Sequence, residues 1–415
     1  MKILIVHNYY SCRGGEDECF DAEIGLLRSR GIQVVVHTQN SATIPGSASL
    51  SLALRSVWSR EDYRAIRALI RLERPDITHV ENSFPLISPA VYYASQSEGV
   101  PVVQSLHNYR LLCVNAQLAR NGAVCEDCLH KVVPWPGVVH NCYSRGLAAS
   151  ATLATMIGVH RALRTFATKV NVYTVPTDFV REKFIEGGFP EAKMVLRPIF
   201  VASDMGMGEG RGDYALFVGR LSAEKGLKIL LSAWERLGPH IRIKIVGGGP
   251  MEGVIREAAQ RIPGVELLGR VPQHELRDYF KNARVLVLPS IWYEGSPAVI
   301  GEAFSAGLPV IASDLGSMSN LIDHGRTGFH FKPGDVNDLV EKVLLAFSQP
   351  PEWENMRQAA RREYETKYTV EMSIQRQVEI YETLVAERSP LAKSKAADIQ
   401  GDRCQAQLGG GASHP

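Results

Sequence analysis

Short apolar runs without polar alternation recur along the first half of the chain, at Lys2–Val6, Ile32–His37, Asp76–Val80, Val100–Leu106 and Val170–Val175. Strands buried on both faces read this way, because helices cover both sides of a parallel sheet. Between them, Asp17–Arg30 and Ser59–Glu73 carry apolar residues at helical spacing. This repeated strand–helix alternation predicts a doubly wound α/β domain over residues 1–197.

Pro198 to Gly212 breaks the pattern. It holds Gly206, Gly208, Gly210 and Gly212 and little that could enter a core, so 198–212 reads as a linker. The alternation then restarts, with strands expected at Tyr214–Gly219, Ile241–Val246, Val265–Leu268, Arg284–Pro289 and Pro309–Ser313. Helices are expected near 226–237, 251–261, 273–283 and 297–306. A second α/β domain over 213–368 follows, and two such domains enclose a cleft at the carboxyl ends of their strands. Further helical patterns lie at 335–347, 352–365 and 370–386, the last giving a separate helix over 369–388. The stretch 389–415 has few large apolar residues and reads as a disordered tail.

Composition narrows the classes. With 415 residues, 45% hydrophobic and 22% charged, the chain is neither disordered throughout nor fibrous. Lys and Arg number 46 against 44 Asp and Glu, a net +2, which lacks the basic excess of a nucleic-acid binder. Ile3–Val6 is too short for a signal-peptide core, and Leu147 to Val159 falls short of the ~20 residues that span a bilayer. A cytoplasmic chain is expected. The stretch 51–75 carries Arg55, Arg60, Arg64, Arg67, Arg71 and Arg74 against Glu61, Asp62 and Glu73, a local charge of 6 − 3 = +3, with Trp58 and Tyr63 among them. It suits either peripheral contact with an anionic membrane or a solvated helix face. Of 7 cysteines, Cys113, Cys125, Cys128 and Cys142 crowd together, which suggests a structural zinc or buried thiols before disulfides.

The sharpest chemical pattern is Ile291 to Glu302. Ser296 is a good N-cap and Pro297 suits a first helical turn, so a helix is predicted to start there. The free N–H groups of residues 298 to 300, Ala298 and Val299 among them, suit an anion such as phosphate. Glu294 before the helix and Glu302 on it offer carboxylates to hydroxyls. A sugar nucleotide presents both diphosphate and hydroxyls; an ordinary capped helix with two solvated acids is the plainer account. A second pattern is Gly219-Arg220 through Lys225-Gly226, where two cations could converge on one anion above the sheet edge, or simply be solvated. In the first half, Gly14-Gly15-Glu16 precedes a helix, and His107-Asn108 ends a strand facing the cleft. A tight turn and a structural histidine are the alternatives.

Other motifs fail. Gly247-Gly248-Gly249-Pro250 has Glu252 where a dinucleotide loop needs its third glycine. No phosphate-binding Gly-x4-Gly-Lys-Ser/Thr and no Asp-x-Asp occurs. His79-Val80-Glu81 with Cys125-x-x-Cys128 lacks the helix and the proline of a zinc deaminase.

Three segments in order now resemble the family-4 retaining glycosyltransferases of the GT-B fold. They are Gly219-Arg220 with Lys225-Gly226, the pair Glu294 and Glu302 spaced Glu-x7-Glu, and Ala306-Gly307 through Ser313 with Gly325-x-Thr327-Gly328 and Pro333-Gly334-Asp335. The first half is similar to the acceptor-side domain of that family, and its cysteine segment to a bacterial subgroup. The resemblance implies two Rossmann-like domains facing across a cleft, with the last helix crossing back to the first domain. It implies that Arg220 and Lys225 neutralise the donor diphosphate, that Glu302 binds the ribose, and that Glu294 contacts the donor sugar. Gly15 would lie against the diphosphate or sugar, and His107 near the reacting carbon. Ser296 stands where the family commonly has a bulky apolar residue. Transfer with retention from a nucleotide sugar to a glycan or lipid-linked acceptor follows, in polysaccharide or lipopolysaccharide synthesis, without a catalytic metal. The alternatives are a sugar-nucleotide epimerase or phosphorylase, or a non-catalytic binding scaffold.

Overall fold

In a computed structural model of the chain, residues 1–11, 14–44, 50–143, 145–210, 212–348 and 352–388 are described. The first apolar run becomes β1 (Lys2–Tyr9), buried along nearly all its length. After it come α1 (Gly15–Ser29), β2 (Gln33–Asn40), α2 (Leu50–Val57), α3 (Arg60–Glu73) and β3 (Ile77–Asn82). Then follow α4 (Ala90–Ser97) and β4 (Val102–Ser105). An insertion holds the short hairpin β5 (Ala119–Arg120) and β6 (Ala123–Val124), and the helices α5 (Pro136–Val139), α6 (Leu147–Ala162) and α7 (Thr165–Thr168). The domain ends with β7 (Val172–Val175), α8 (Asp178–Glu186) and β8 (Met194–Leu196). Its six strands pair in parallel in the order β2-β1-β3-β4-β7-β8.

The second domain repeats the scheme. It runs β9 (Tyr214–Val218), α9 (Leu227–Leu237), β10 (Arg242–Val246), α10 (Glu252–Arg261), β11 (Val265–Gly269) and α11 (Gln273–Asn282). It continues through β12 (Val285–Leu288), α12 (Ala298–Ser305), β13 (Val310–Ser313), α13 (Ser317–Leu321) and β14 (Gly328–Phe331). The helices α14 (Val336–Phe347), α15 (Trp353–Lys367) and α16 (Val370–Arg388) close the described chain. These six strands are also parallel, ordered β11-β10-β9-β12-β13-β14. In each sheet the chain reverses direction next to the first strand, at the switch point where α/β sheets bind ligands.

The crossing helix is present. Ile374, Ile380, Tyr381 and Leu384 of α16 share a core with Ile3, Ile5, Ile77 and Val103 of the first sheet, while Tyr368 just before α16 sits in the core of the second domain. Each apolar side chain buried this way stabilises the join by ~1.5–3 kcal/mol.

The glycine-rich segment 198–212 corrects the reading of a linker with nothing for a core. Val201 and Met205 are buried in the second domain, and the Val201 N–H donates to the Tyr368 carbonyl at 2.9 Å. A Cβ at Gly208 would lie 2.1 Å from the Lys281 carbonyl oxygen, and one at Gly212 1.5 Å from that of Asn282. These glycines allow close backbone contact; the segment is a packed strap. The stretch 389–415, read as a tail, lies outside the described residues.

Candidate active site

The second-domain half of the site is built on strand ends. After β9, Gly219 and Arg220 turn into a single 3-10 turn, Ala223–Lys225, and then Gly226. Gly226 has φ +71° and a Cβ there would lie 1.7 Å from the Pro289 carbonyl oxygen, so only glycine fits. This approach sets Lys225 beside the end of β12. Lys225 Nζ meets Glu294 Oε1 at 2.6 Å, and Ser290 Oγ donates to the same oxygen at 2.7 Å. Glu294 is buried, whereas Arg220 is exposed and no ion pair or hydrogen bond engages its side chain among the described residues. A free guanidinium at the rim is what an arriving diphosphate needs.

The three-glycine run 247–249 has a role that motif matching missed. A Cβ at Gly247 would lie 1.8 Å from the Gly219 carbonyl oxygen, and one at Gly249 2.5 Å from that of Leu221. The run lets the end of β10 press against the Arg220 turn, supporting that loop from behind.

The start of α12 differs from expectation. Pro297, not Ser296, is the N-cap, and Ser296 makes no capping bond. The chain is still extended at Pro297, with φ −70° and ψ 106°, because the preceding loop is held elsewhere. The Gly295 carbonyl accepts from Ser317 Oγ at 2.7 Å and from Thr177 Oγ1 of the first domain at 3.2 Å. The Ile300 N–H is taken by the Pro297 carbonyl at 3.0 Å, leaving those of Ala298 and Val299 at the helix tip. Ala298 is exposed and Val299 half-buried. Glu302 lies farther along α12, where burial raises its pKa, Gln273 opposes the shift by hydrogen bonding, and the charge of Glu18 on α1 adds to it. Glu302 therefore faces the first domain across the cleft.

The opposite wall is formed by α1 and the loop after β4. Gly14 and Gly15 open α1, and a Cβ at either would meet no atom of the described residues within 4 Å, so packing among those residues does not demand a glycine there. Glu16 Oε2 accepts from Tyr10 Oη at 3.0 Å and from Asn108 Nδ2 at 3.1 Å. His107 packs close to the second domain, since a Cβ on Gly295 would lie 3.2 Å from its carbonyl oxygen. Its Nε2 contacts Glu81 Oε2, a partner that no local motif pairs with it. Glu16, Glu81, His107, Asn108 and Arg110 line one pocket. The two domains thus bring Glu294, Lys225, Gly295 and His107 to one place.

The cysteines and the basic stretch lie elsewhere. Cys113 Sγ donates to Asn115 Oδ1 at 3.0 Å and Cys128 Sγ to the Pro134 carbonyl at 3.8 Å. The neighbouring Cys128 thiol first, and then, against burial, backbone groups of Leu118, Asn115 and Gln117 lower Cys113 to about 6. Burial raises Cys125 and Cys142. Among the described residues, only Glu23, His79 and Glu81 bring three metal-ligand atoms within 4.8 Å of one another, so the four sulphurs are not gathered that tightly. In 51–75, Arg55 bonds Asp62 at 3.0 Å, Arg67 and Arg71 bond Glu98, and Trp58 and Tyr63 pack against each other, Trp58 also meeting Tyr93. Arg60, Arg64 and Arg74 remain exposed. No helix among the described residues is long and apolar enough to cross a membrane.

Two parallel sheets meeting at a cleft, with anion-suited loops on one side and a strand-end histidine on the other, define a GT-B architecture. Comparison with known proteins agrees. The family described as Glycosyl transferases group 1 matches residues 209–363, and the Glycosyl transferase 4-like domain matches 14–199. The chain belongs to these group 1, family-4-type glycosyltransferases of the GT-B fold. It is 28% identical over 83% of its length to the sulfoquinovosyl transferase SQD2 of Arabidopsis thaliana, covering 66% of that protein. It is 31% identical over 41% of its length to the amylovoran biosynthesis glycosyltransferase AmsK of Erwinia amylovora, covering 44% of it. The matches thus span under two thirds of these relatives. The crystal structure of HepE of Anabaena in complex with UDP-glucose shares the fold, with a TM-score of 0.64, 16% identity, and coverage of 92% of this chain and 100% of that one.

Proposed function

We propose that the protein moves a sugar from a nucleotide-diphosphate donor to a glycan or lipid-linked acceptor, with retention of configuration, in cell-surface polysaccharide or lipopolysaccharide synthesis on the cytoplasmic side. The carrying observation is the uncompensated Arg220 beside the Lys225–Glu294 pair, opposite His107. Glycosyl transfer builds positive charge on the sugar and negative charge on the leaving diphosphate. Arg220, Lys225 and the tip of α12 at Ala298 and Val299 are placed to stabilise that negative charge. Glu294 contacts the donor sugar, Glu302 the ribose, and Gly219 and Gly15 give the diphosphate room on either side of the cleft, with Ser296 beside the donor. With those cations in place the transfer needs no divalent metal. The relatives' names and the UDP-glucose bound to HepE support the donor class. An apolar groove of about 710 Å³, lined by Leu52, Ala53, Phe84 and Tyr143 among others, shares Phe84 and Ser56 with the His107 pocket and supports an acceptor with a hydrocarbon portion.

The experiment is incubation with a panel of UDP- and GDP-sugars and lipid-extract acceptors, with the product anomer read by NMR and EDTA in a parallel arm. A retained anomer, formed in EDTA and lost in Arg220→Ala, supports the proposal. Interconversion of free nucleotide sugars without acceptor would favour the epimerase reading. A structural zinc at Cys113, Cys125, Cys128 and Cys142 is a separate proposal, resting on the Cys113–Cys128 contact; binding would draw Cys125 and Cys142 inward.

A further inference from the structure

Behind His107 lies a buried polar network that sugar transfer alone leaves unexplained. Glu81 on β3 uses Oε2 for His107 Nε2 and Oε1 for His79 Nε2 at 2.9 Å, while Ser105 Oγ donates to Oε1 at 3.0 Å. His79 Nδ1 meets Tyr381 Oη at 2.6 Å and Gln377 Nε2 at 3.2 Å, both on α16. Glu23 on α1 stands 3.6 Å from that nitrogen and binds Arg197 Nη2 at 2.6 Å. His79, Gln377 and Tyr381 are 0% exposed, so solvent does not satisfy them. Buried charges persist only where they are paired. Glu23, His79 and Glu81 cluster tightly, yet Arg197 and a protonated His107 already supply two positive charges against the two carboxylates. The set is a charge-balanced ion network, in which Glu23 Oε1, Arg197 Nε and Gln377 Oε1 are left without a hydrogen-bond partner among the described residues.

This network decides which face of His107 works. Its Nε2 is spent on Glu81, so Nδ1 alone remains for the cleft. We propose that Glu81 is a positioning residue for the transfer: it fixes His107 through Nε2 with Nδ1–H turned to the cleft as a donor, and His79 ties this pair to Tyr381 and Gln377 on the crossing helix. A carboxylate on one ring nitrogen sets the ring's orientation and tautomer. It also favours the charged ring. Burial alone would lower the His107 pKa, but the charge and hydrogen bond of Glu81 outweigh it and raise it to about 9. Glu16 and Glu23 on α1 push the same way. The other titratable and charged groups lining this pocket and its neighbour are Cys19 on α1, Tyr92 on α4, Arg197 after β8 and Arg110 after β4; the second domain contributes the Gly295 backbone. Because α16 follows the second domain in the chain and packs on the first, the histidine is held by an element that belongs to both.

The kinetic readout rests on the proposed transfer; the titration does not. In Glu81→Gln, the shape is kept and the charge removed. The His107 ring, followed by NMR and assigned with His107→Asn, is expected to titrate near 9 in the wild type and at least one pH unit lower in Glu81→Gln. Activity is lost as pH rises through the His107 pKa, so the basic limb of the kcat profile should move down with it. With the ring titrating one unit lower, about half of it rather than about nine-tenths is charged at pH 8, so kcat should fall at least about twofold there with donor KM nearly unchanged. Tyr381→Phe, which keeps the carboxylate, should lower kcat a few-fold without moving the limb, and stands in if Glu81→Gln does not fold. An unmoved titration, or a moved titration with wild-type kcat, overturns the proposal, as does wild-type kcat in Tyr381→Phe. A moved titration in a protein inactive with every donor would sink the transfer reading and leave the Glu81–His107 link standing.

Discussion

The two walls of the cleft handle charge in opposite ways. On the second-domain wall, Arg220 is exposed and unpaired among the described residues, and Lys225 pairs with Glu294 and lies over the Trp292 ring. On the first-domain wall, Glu81 and His79 are buried and bonded on every side. A wall that must receive a diphosphate keeps its cations hydrated until the ligand replaces the water. A wall that must present one donor in one direction fixes it in advance, at the cost of burying ions. Glycines show the same division. Gly226 is required by its φ of +71° and by the Pro289 carbonyl, whereas nothing among the described residues requires Gly15. One serves the fold, the other leaves room.

The largest effect should come from the open wall. Arg220→Ala is expected to cut kcat/KM by about 10²–10³-fold, the scale for losing one stabiliser of developing charge, with thermal stability unchanged because the side chain holds nothing else. Steady-state kinetics and a melting curve check both halves. Gly226→Ala should do the reverse and destabilise the fold by about 2 kcal/mol or more, seen in urea titration. Gly15→Ala should unfold within about 0.5 kcal/mol of wild type yet weaken donor binding by calorimetry. If Gly226→Ala proves as stable as wild type, the division of labour among the glycines is wrong.

Smaller effects follow from pH. The His107 pKa is raised by folding, so its contribution to stability is full below about 6.5 and lost as pH rises through about 9. Asp62 behaves oppositely. Burial would raise it, but hydrogen bonds from His37, Ser59, Gln39 and Arg55 win and lower it to about 2, so its contribution is full above 3.8 and lost as pH falls through about 2. Denaturation midpoints in Glu81→Gln should lose the alkaline slope, together with the part of the acid slope that Glu81 itself supplies. Burial would raise its carboxyl, but His79 and His107 hold it well below the usual range; the part due to Asp62 should remain. Elemental analysis of protein prepared without chelator tests the cysteines, with about one zinc per chain expected and free thiols alone as the contrary result.

The open wall was legible in the sequence and the closed wall was not. Gly219, Arg220, Lys225, Glu294 and Glu302 fall near strand ends and one helix start, so local pattern places them together. The Glu81–His107 pair joins a residue on β3 to one in the loop just after the neighbouring β4, and Tyr381 reaches His79 from α16, 302 residues later; no local spacing encodes either. The same limit explains the strap at 198–212, where glycines that read as freedom instead permit contact with Lys281 and Asn282. It also explains Ser296, a good cap by type, displaced because Thr177 and Ser317 hold the carbonyl of Gly295. Short edge strands such as β8 and β14 carry too few apolar residues to announce themselves.

Calorimetric titration of UDP and GDP into wild type and Arg220→Ala tests the central claim most directly. One of the two nucleotides is expected to bind wild type and to lose at least tenfold in affinity in Arg220→Ala, with melting temperature preserved. Binding of neither nucleotide, or equal affinity in both proteins, would contradict it.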